Sequence, residues 1–232
     1  MKKIVVLTGA GISAESGLKT FRDSNGLWEN HKIEDVATPQ AWKANPEIVL
    51  EFYNQRRLQA SKAQPNEAHV SLVVLEKYFN VTIVTQNVDD LHERAGSSNV
   101  IHLHGELKKA RSSKNASLVY QINKKRIEIG DLCEEGNQLR PHIVWFGEEV
   151  PMIQKVIPYF QFAEIVIVVG TSLSVYPASG LVDYVSSNAD CYYIDPNAKE
   201  NMNNINFKII PQNAEKGVKN LVADLKNKKI NL

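Results

Sequence analysis

The 232-residue chain has only two cysteines, Cys133 and Cys191. Two thiols cannot form a framework of several disulfides, and they cannot supply the thiolates of a four-cysteine zinc site. The chain also lacks an excess of one charge, since 27 basic residues face 26 acidic ones. A nearly neutral protein has no strong overall field to attract nucleic acid, and the basic runs at 108–111 and 124–126 are interpreted as solvated surface. We therefore predict no disulfide framework and no nucleic-acid partner.

Long apolar segments are absent as well. No stretch reaches the roughly 18 uninterrupted apolar residues of a membrane helix. The initial sequence MKKIVVLTGAG has an apolar core too short for a signal peptide. Hydrophobic residues make up 43% of the chain and charged residues 23%, as in ordinary globular proteins. We therefore expect a cytoplasmic protein without a membrane partner, large enough to bury one sizeable core.

Apolar, β-rich runs alternate with helical patterns along the sequence. The predicted strands are 4–8, 81–85, 100–103, 165–169 and 192–194, and the predicted helices are roughly 46–62, 66–78, 151–162, 177–187 and 214–226. This alternation is typical of a mainly parallel sheet covered by helices on both faces. The predicted fold class is therefore α/β, with a Rossmann-like parallel sheet.

Two segments, at about 19–63 and 107–140, interrupt this alternation. We expect them to form a smaller inserted lobe beside the nucleotide-binding part, with a cleft between the two. The single domain 1–232 would then consist of a large lobe at about 1–18, 64–106 and 141–232 and a small lobe at about 19–63 and 107–140.

A glycine-containing loop, Gly-Ala-Gly at 9–11, directly follows the first predicted strand. Its glycines lack a Cβ, so the backbone can adopt positive φ and a ligand can approach it closely. A helix beginning at Ser13 or Ala14 would direct its amides and its dipole at a pyrophosphate in this loop. The next glycine, Gly17, does not fit the usual dinucleotide spacing, so a tight turn without a ligand is the alternative.

Five sequence blocks occur in order: GAGISAESGLKTFRDSNGLW at 9–28, TQNVDDLH at 85–92, HLHGE at 102–106, RPHIVWFGE at 140–148 and GTS at 170–172. Together they resemble the sirtuin family of NAD-dependent protein lysine deacylases, from residue 1 to about 226. The weakest part of this resemblance is 108–138. It implies NAD as cofactor and acyl-lysine proteins or peptides as substrates. In this family the acyl oxygen attacks the ribose carbon that carries nicotinamide, and the acyl group finishes on ADP-ribose.

The resemblance assigns His104 as the catalytic base toward a ribose hydroxyl. An imidazole with an ordinary pKa of about 6.5 can accept a proton at neutral pH. His102 lies two residues earlier on a predicted strand and could share the same face, and Gly105 would let substrate approach the backbone. The alternative for His104 is a hydrogen-bonded core histidine.

Asn87 and Asp89 follow a predicted strand and, by resemblance, line the nicotinamide pocket, where Asn87 joins His104 as a catalytic residue. The amide and the carboxylate can bond to the nicotinamide carboxamide. Capping of a helix that begins near Val88 is the alternative for both, and we expect Asp90 to act only as a cap.

The resemblance also predicts a set of NAD-binding residues: Gly9, Ala10, Gly11, Ser13, Glu15, Thr20, Phe21, Arg22, Trp28, Gln86, Asn87, Asp89, Gly170, Thr171, Ser172, Asp195, Asn197 and Ala214. Phe21 would shield the reactive ribose carbon from water, and Arg22 would meet a phosphate or the substrate. Asp195 would accept hydrogen bonds from ribose hydroxyls and repel a 2'-phosphate, so NAD rather than NADP is expected.

The predicted substrate-binding residues form two groups. Val144, Trp145, Phe146, Gly147 and Glu148 resemble the segment that pairs as a strand with an extended acyl-lysine peptide. Tyr53 and Arg56 resemble the Tyr-x-x-Arg pair of sirtuins that remove succinyl and malonyl groups. At i and i+3 of a predicted helix they share a face, and a guanidinium can hold a carboxylate with two hydrogen bonds. An arginine that only faces water is the alternative, and we expect this of Arg57.

Most sirtuins carry four zinc-binding cysteines after the histidine-glycine motif, but here Cys133 is the only thiol in that region. We predict no zinc, and a small lobe that packs around Leu118, Val119, Tyr120, Ile122 and Ile127. The predicted function is removal of succinyl and malonyl groups, with deacetylation as a further activity, by a monomeric enzyme. The alternatives are an NAD glycohydrolase or ADP-ribosyltransferase on the same scaffold, or a non-catalytic NAD sensor.

Overall fold

A computed structural model describes residues 1–19, 27–28, 31–122, 126–198 and 207–230. The strands are β1 (Lys3–Thr8), β2 (Leu27–Trp28), β3 (His31–Lys32), β4 (Asn80–Thr85), β5 (Val100–His102), β6 (Gly105–Ser112), β7 (Val119–Gln121), β8 (Leu139–Ile143), β9 (Ile165–Val169), β10 (Asp190–Ile194) and β11 (Lys208–Ile210). The helices are α1 (Ile33–Val36), α2 (Pro39–Ala44), α3 (Pro46–Lys62), α4 (Glu67–Glu76), α5 (Leu91–Ala95), α6 (Ile153–Gln161) and α7 (Ala214–Ile230). Short 3-10 helices span Ala10–Ile12, Ala14–Ser16 and Ala178–Tyr184.

The main sheet has six strands in the order β11-β10-β9-β1-β4-β5. All of its pairings are parallel, and β1 lies between β4 and β9. Parallel pairing brings the carboxyl ends of these strands to one edge of the sheet, where α/β proteins bind their ligands. The predicted α/β fold with a Rossmann-like sheet is confirmed.

Alternate side chains of β1 supply the two faces of this sheet. Ile4 and Val6 belong to the apolar cluster that α4 and α7 cover, whereas Val5 and Leu7 belong to the cluster that includes side chains of α6. All four are at most 2% exposed. A strand buried on both faces requires a continuous apolar run, which is the pattern that the sequence shows at this position.

Most predicted elements agree with the structure to within a few residues. Helix α3 has the predicted bounds because Asn45 caps it by accepting a hydrogen bond from Ile48 N, and Pro46 occupies its first turn. The predicted helix at 177–187 is corrected to the 3-10 helix Ala178–Tyr184. Within the described residues, none of the helices has the length and apolar character needed to cross a membrane.

A second sheet, with the order β7-β6-β8, is antiparallel. It lies in the segment for which the sequence predicted packing around five apolar residues. Ile127 is buried there, against Leu50 and Ala110, but Val119 is 39% exposed. The predicted packing is therefore wrong for Val119, because β7 is an edge strand with one face open.

Arg57 differs most clearly from its prediction. It was expected to face water, yet the residue is only 8% exposed. Its Nε donates to Leu107 O at 2.7 Å, and its Nη1 donates to Asn54 Oδ1 at 2.7 Å. Burial lowers the pKa of Arg57 to about 10. The guanidinium is inside because α3 packs against β6, which the sequence of the helix alone does not reveal.

Candidate active site

One cleft of about 670 Å³ lies along the carboxyl edge of the main sheet. This volume is within the range typical of small-ligand sites. Predicted residues line it from every sequence block: Gly9, Ala10, Gly11, Ser13, Glu15, Tyr53, Arg56, Gln86, Asn87, Asp89, His104, Val144, Trp145, Phe146, Gly147, Glu148, Gly170, Thr171, Ser172, Asp195, Asn197 and Ala214. Thr20, Phe21 and Arg22 lie outside the described residues, and only the backbone of Trp28 is described, in β2.

Further lining residues were not predicted. They are Ala14, Leu18, Lys19, Ile33, Ala37, Ala60, Val88, Leu107, Ile143, Val150, Ser174, Val175, Tyr176, Pro177, Ile194, Pro196 and Asn213. Ser174 to Pro177 follow the Gly-Thr-Ser block after one intervening residue, so extending that block into the following loop would have found them. The apolar side chains of α1 and α3 give no such signal, because their approach to the cleft depends on tertiary packing.

The glycine loop packs tightly against the loop that follows β9. Gly11 N donates to Gly170 O at 2.8 Å, and a Cβ on Gly11 would lie 2.7 Å from Gly170 Cα. Glycine is therefore required here because two backbones touch, whereas the sequence suggested positive φ or ligand approach. A helix does begin at Ala14, but it is a 3-10 helix of three residues, and a second 3-10 helix precedes it at Ala10–Ile12. Such short turns contribute little helix dipole.

Three polar side chains form a buried network in the cleft. Asn87 Nδ2 donates to Ser13 Oγ at 3.1 Å, and Ser13 Oγ donates to Asp89 Oδ2 at 3.2 Å. They are 8%, 2% and 9% exposed, in the order Asn87, Ser13 and Asp89. Burial raises the pKa of Asp89, opposed by its hydrogen bonds to Leu91 N and Ser13. The network places an amide and a carboxyl group at the end of β4.

Helix α5 begins later than the sequence predicted, at Leu91. Asp89 Oδ1 accepts from Leu91 N at 3.1 Å, so Asp89 supports the start of the helix as well as facing the cleft. Asp90 makes no capping bond through its side chain. Asp90 occupies the N-cap position of α5, as predicted, but its side chain forms ion pairs with Lys108 and Arg94 instead of a capping bond.

His104 has the geometry of a base. Its Nδ1 lies 3.0 Å from Gln86 O. A carbonyl oxygen can only accept, so Nδ1 carries the proton of the neutral ring and Nε2 keeps its lone pair. Burial lowers the pKa of His104, and the bond to Gln86 O opposes this shift. The ring is therefore neutral at neutral pH and able to take up a proton.

His102 and Gly105 have other roles than the sequence suggested. His102 is not among the residues that line the cleft. Strand β5 ends at His102, and the chain turns before His104, so the two rings do not share a face. Gly105 has φ +84°, and a Cβ there would lie 2.0 Å from His142 O. Glycine follows His104 because β6 and β8 approach each other closely.

The loops after β9 and β10 form the other end of the cleft. Tyr193 OH donates to Thr171 O at 2.8 Å, and Asp195 Oδ1 accepts from Asn197 N at 2.8 Å. Asp195 is only 6% exposed. Glu15 accepts from Glu215 N at 2.9 Å in the first turn of α7. The contacts of the Glu15 carboxylate thus connect the glycine loop to α7.

Tyr53 and Arg56 line the cleft from one face of α3. Tyr53 is 1% exposed, and its ring centroid lies 6.4 Å from that of Trp145. Burial raises the pKa of Tyr53 well above its ordinary value, so its hydroxyl remains protonated. Arg56 is half-buried. A phenol and a guanidinium therefore flank the same part of the cleft.

Glu148 holds the turn that follows β8. Its Oε1 lies 2.7 Å from Arg140 Nη1, and its Oε2 lies 3.0 Å from Arg111 Nη2. Trp145 N donates to Glu148 Oε2 at 2.8 Å, and the Arg140 guanidinium carbon lies 3.2 Å from the Trp145 ring centroid. The carboxylate thus organises the cleft wall from within.

Backbone donors of the same turn are used within the chain. Val144 N donates to His104 O at 2.9 Å, and Phe146 N donates to Ala37 O at 3.0 Å. These two amides and that of Trp145 would have to exchange partners to pair with a peptide strand. Unless they do so, a peptide strand that pairs with this segment as predicted would have to bond to its other backbone groups.

The sheet and its carboxyl-edge cleft define a Rossmann-like α/β protein with a cleft of the kind that binds nucleotides. A family model described as the Sir2 family matches residues 9–177. The chain therefore belongs to the Sir2 family.

Individual relatives agree with this assignment. The NAD-dependent protein deacylase of Helicobacter pylori strain J99 is 52% identical over 225 residues, which cover 97% of this chain and 96% of that protein. The NAD-dependent protein deacylase of Bacteroides thetaiotaomicron is 48% identical over 226 residues, 95% of this chain and 97% of that protein. A crystal structure of a Sir2 homolog–NAD complex matches with a TM-score of 0.87 and 36% identity, covering 98% of this chain and 91% of that chain.

Proposed function

We propose that this protein is an NAD-dependent protein deacylase that removes acyl groups from lysine and releases nicotinamide and O-acyl-ADP-ribose. The observation that carries the proposal is the His104 ring, whose Nδ1 is engaged by Gln86 O at 3.0 Å and whose Nε2 can therefore accept a proton. His104 lines the same cleft as the buried Asn87 and Asp89. Membership in the Sir2 family and the names of the relatives support this activity.

The cleft fits a dinucleotide. Asp195 follows β10 and Asn87 follows β4, and β9 and β1 lie between these strands. Three strand spacings place the two strand ends roughly 14 Å apart. The buried Asp195 carboxylate suits ribose hydroxyls and disfavours a 2'-phosphate, which supports NAD rather than NADP. When bound, NAD supplies the ribose carbon from which nicotinamide departs.

The roles of the chain's own residues follow from their positions. The amide of Asn87 and the carboxyl of Asp89 orient a carboxamide at the end of β4, and the Ser13 hydroxyl fixes both side chains. His104 Nε2 removes a proton from a ribose hydroxyl, because its other nitrogen already carries the ring proton. The protonated imidazole that results is stabilised through its bond to Gln86 O.

We further propose that acidic acyl groups, succinyl and malonyl, are preferred over acetyl. Tyr53 offers a protonated hydroxyl, and Arg56 offers a guanidinium on the same face of α3. Together these groups can bind a distal carboxylate, which acetyl lacks. The apolar side chains of Ala37, Leu107 and Ile143 line the cleft and suit the acyl chain.

Incubation with NAD and a succinyl-lysine or acetyl-lysine peptide tests the activity. We expect deacylated peptide, nicotinamide and O-acyl-ADP-ribose in equal amounts, with faster turnover of the succinyl peptide. His104→Ala should lower kcat by a factor of about 100 or more, with an unchanged melting temperature. Nicotinamide without deacylated peptide would indicate a glycohydrolase or ADP-ribosyltransferase. Absence of all products at saturating NAD binding would indicate a sensor.

We also propose that the protein folds and functions without zinc. In the part of the chain that the structure describes, no cluster of three or more His, Cys, Asp or Glu residues is placed to hold a metal ion. The division into lobes at about 1–18, 64–106 and 141–232 and at about 19–63 and 107–140, the monomeric state and the cytoplasmic location remain predictions.

A further inference from the structure

His102 and Glu93 meet behind the Asn87 loop. His102 Nδ1 lies 2.8 Å from Asn87 O, and His102 Nε2 lies 2.8 Å from Glu93 Oε1. The His102 side chain is only 7% exposed. Both partners are acceptors, a carbonyl oxygen and a carboxylate, so both ring nitrogens must carry a proton to satisfy them. Against the effect of burial, the hydrogen bond to His102 and its charge lower the pKa of Glu93, so the geometry favours an imidazolium paired with a carboxylate.

The backbone of Asn87 is held on both sides by these contacts. Its N–H donates to Thr85 Oγ1 at 3.0 Å, and its carbonyl accepts from His102. The side chain in turn donates to Ser13 Oγ. A bond made by an imidazolium is stronger than one made by a neutral ring, so the charge on His102 strengthens the hold on the Asn87 carbonyl.

We propose that His102 and Glu93 are a positioning pair for the nicotinamide-binding loop, and that this support weakens when His102 gives up a proton, because a neutral ring can donate to only one of its two acceptors. This proposal rests on the deacylase function proposed above. His102 is absent from the residues that line the cleft, so it acts through Asn87 and does not touch the reacting atoms. The pair separates two histidine functions in one block: His104 works as a neutral base, and His102 works as a cation.

Several ionisable groups on neighbouring elements face this pair: Glu93 and His92 on α5, Glu106 and Lys108 on β6, and Asp89 in the loop. The three carboxylates favour the imidazolium, whereas Lys108 lies near Glu93 and pairs with Asp90. Burial disfavours the charge on His102, but the hydrogen bond to Glu93 and its charge raise the pKa of His102. Burial keeps His92 neutral by lowering its pKa far below the ordinary value.

The two histidines should limit activity at opposite ends of the pH range. Activity rises with pH as His104 becomes a neutral base, and this limb lies below the ordinary histidine pKa because burial lowers the pKa of His104. Activity falls again when His102 becomes neutral, and that limb lies above the ordinary pKa. A bell-shaped profile of kcat/KM for NAD is therefore expected.

The variant Glu93→Gln tests the pair, because glutamine keeps the size of the side chain but no longer requires a cation. We expect its alkaline limb to move down by about one pH unit while the acid limb stays in place. Glu67→Gln is the matched control, since Glu67 pairs with Lys219 at 3.4 Å on the exposed surface. An alkaline limb that is identical in wild type and Glu93→Gln would overturn the proposal.

A second measurement does not depend on turnover, so it separates failure of the pair from failure of the proposed function. Nitrogen NMR of the wild-type His102 ring at neutral pH should show both nitrogens protonated, and a neutral ring would contradict the proposal. His102→Gln should lower kcat/KM for NAD by about tenfold or more through displacement of the loop. Its far-ultraviolet circular dichroism should match that of the wild type, and full activity in a folded His102→Gln protein would also count against the pair.

Discussion

The six-stranded parallel sheet and the three-stranded antiparallel sheet differ in what holds their elements together. In the parallel sheet, Val5, Leu7, Val166 and Val168 are at most 2% exposed and pack against other hydrocarbon groups. Burial of such side chains is non-directional, and each contributes about 1.5–3 kcal/mol to stability. Volume-conserving apolar replacements are therefore tolerated there.

The region around the antiparallel sheet is held by side-chain hydrogen bonds in addition to apolar packing. Asn54 Nδ2 donates to Ile127 O at 2.9 Å, and Ile127 N donates to Asn54 Oδ1 at 2.9 Å. Ser112 Oγ accepts from Asn115 N at 3.2 Å and from Cys133 Sγ at 3.4 Å. These contacts require particular atoms, so a replacement of similar volume is not equivalent. The comparison teaches that the region around β6 depends on directional bonds from the neighbouring helix α3 in a way that the parallel sheet does not.

The largest expected effect distinguishes the acyl-binding part of the cleft from the cofactor-binding part. Arg56→Met removes the guanidinium that would hold the distal carboxylate, so we expect the KM for a succinyl-lysine peptide to rise by about 10- to 100-fold. The KM values for acetyl-lysine peptide and for NAD should stay within about twofold, as steady-state assays with each substrate would show.

Arg126→Met is the matched control for this change, because Arg126 pairs with Glu51 on the surface and is 51% exposed. It should leave the KM for both peptides unchanged. Equal losses on succinyl and acetyl peptides in Arg56→Met would remove the basis for acidic acyl preference while leaving deacylation intact.

The next effect concerns stability of the small antiparallel region. Asn54→Ala leaves the N–H and C=O of Ile127 without their side-chain partner, and it removes the acceptor of Arg57 Nη1. Buried unsatisfied groups of this kind are costly, so we expect a loss of about 3 kcal/mol in the free energy of unfolding. Urea denaturation measures it, and Asn220→Ala on the exposed face of α7 should cost less than about 0.5 kcal/mol.

A pH-dependent effect is expected from the helices that cover the parallel sheet. His69 is 0% exposed, and its Nδ1 accepts from Asn66 N at the start of α4. Burial lowers the pKa of His69 from 6.5 to about 4. Above pH 6.5, the ordinary pKa of His69 in the unfolded chain, neither the folded nor the unfolded state binds this proton, so the full contribution to the free energy of unfolding is present. Between pH 6.5 and about pH 4 only the unfolded chain binds the proton, so the free energy of unfolding falls as the pH drops.

The size of this loss is about 3 kcal/mol between pH 6.5 and about pH 4. Urea midpoints measured at several pH values check it. His69→Gln should flatten the curve in that window, and a curve as steep as that of the wild type would show that other groups control the acid sensitivity.

The smallest effect is expected from a chelator. Because the antiparallel region relies on hydrogen bonds such as those of Asn54 and Ser112, EDTA should shift the melting temperature by less than about 1 °C. Metal analysis of the purified protein is the complementary measurement. A stoichiometric metal together with a large EDTA-induced shift in melting temperature would show that a metal, and not hydrogen bonds alone, holds the antiparallel region together.

Sequence patterns predicted the parallel sheet well because its signals are local. The runs of β1 and β9 are uninterrupted and apolar, and α3 is bounded by a capping asparagine and a proline. The antiparallel sheet escaped prediction because two adjacent lysines interrupt the apolar pattern of β6 and because β7 has only three residues. Arg57 was placed wrongly since its partner, Leu107 O, is 50 residues away.

The candidate site also has a part that the sequence predicts and a part that it does not. Residues such as Asn87, Thr171 and Asp195 could be placed from sequence, because each lies within two residues of the end of an apolar strand and parallel strands end at one edge. The hydrogen-bond partners of these residues could not be predicted from the sequence. The bond between Ser13 and Asn87 joins residues 74 positions apart, and the 3-10 geometry of the glycine loop depends on its contact with Gly170.

The central position of β1 has a consequence for biosynthesis. Its neighbour β9 begins at Ile165, so one side of the first strand has no partner until most of the chain has left the ribosome. Pairing over such a separation is slow, because the intervening chain must be ordered first. A nascent chain that ends before this point would present an apolar strand edge, the kind of surface that chaperones bind.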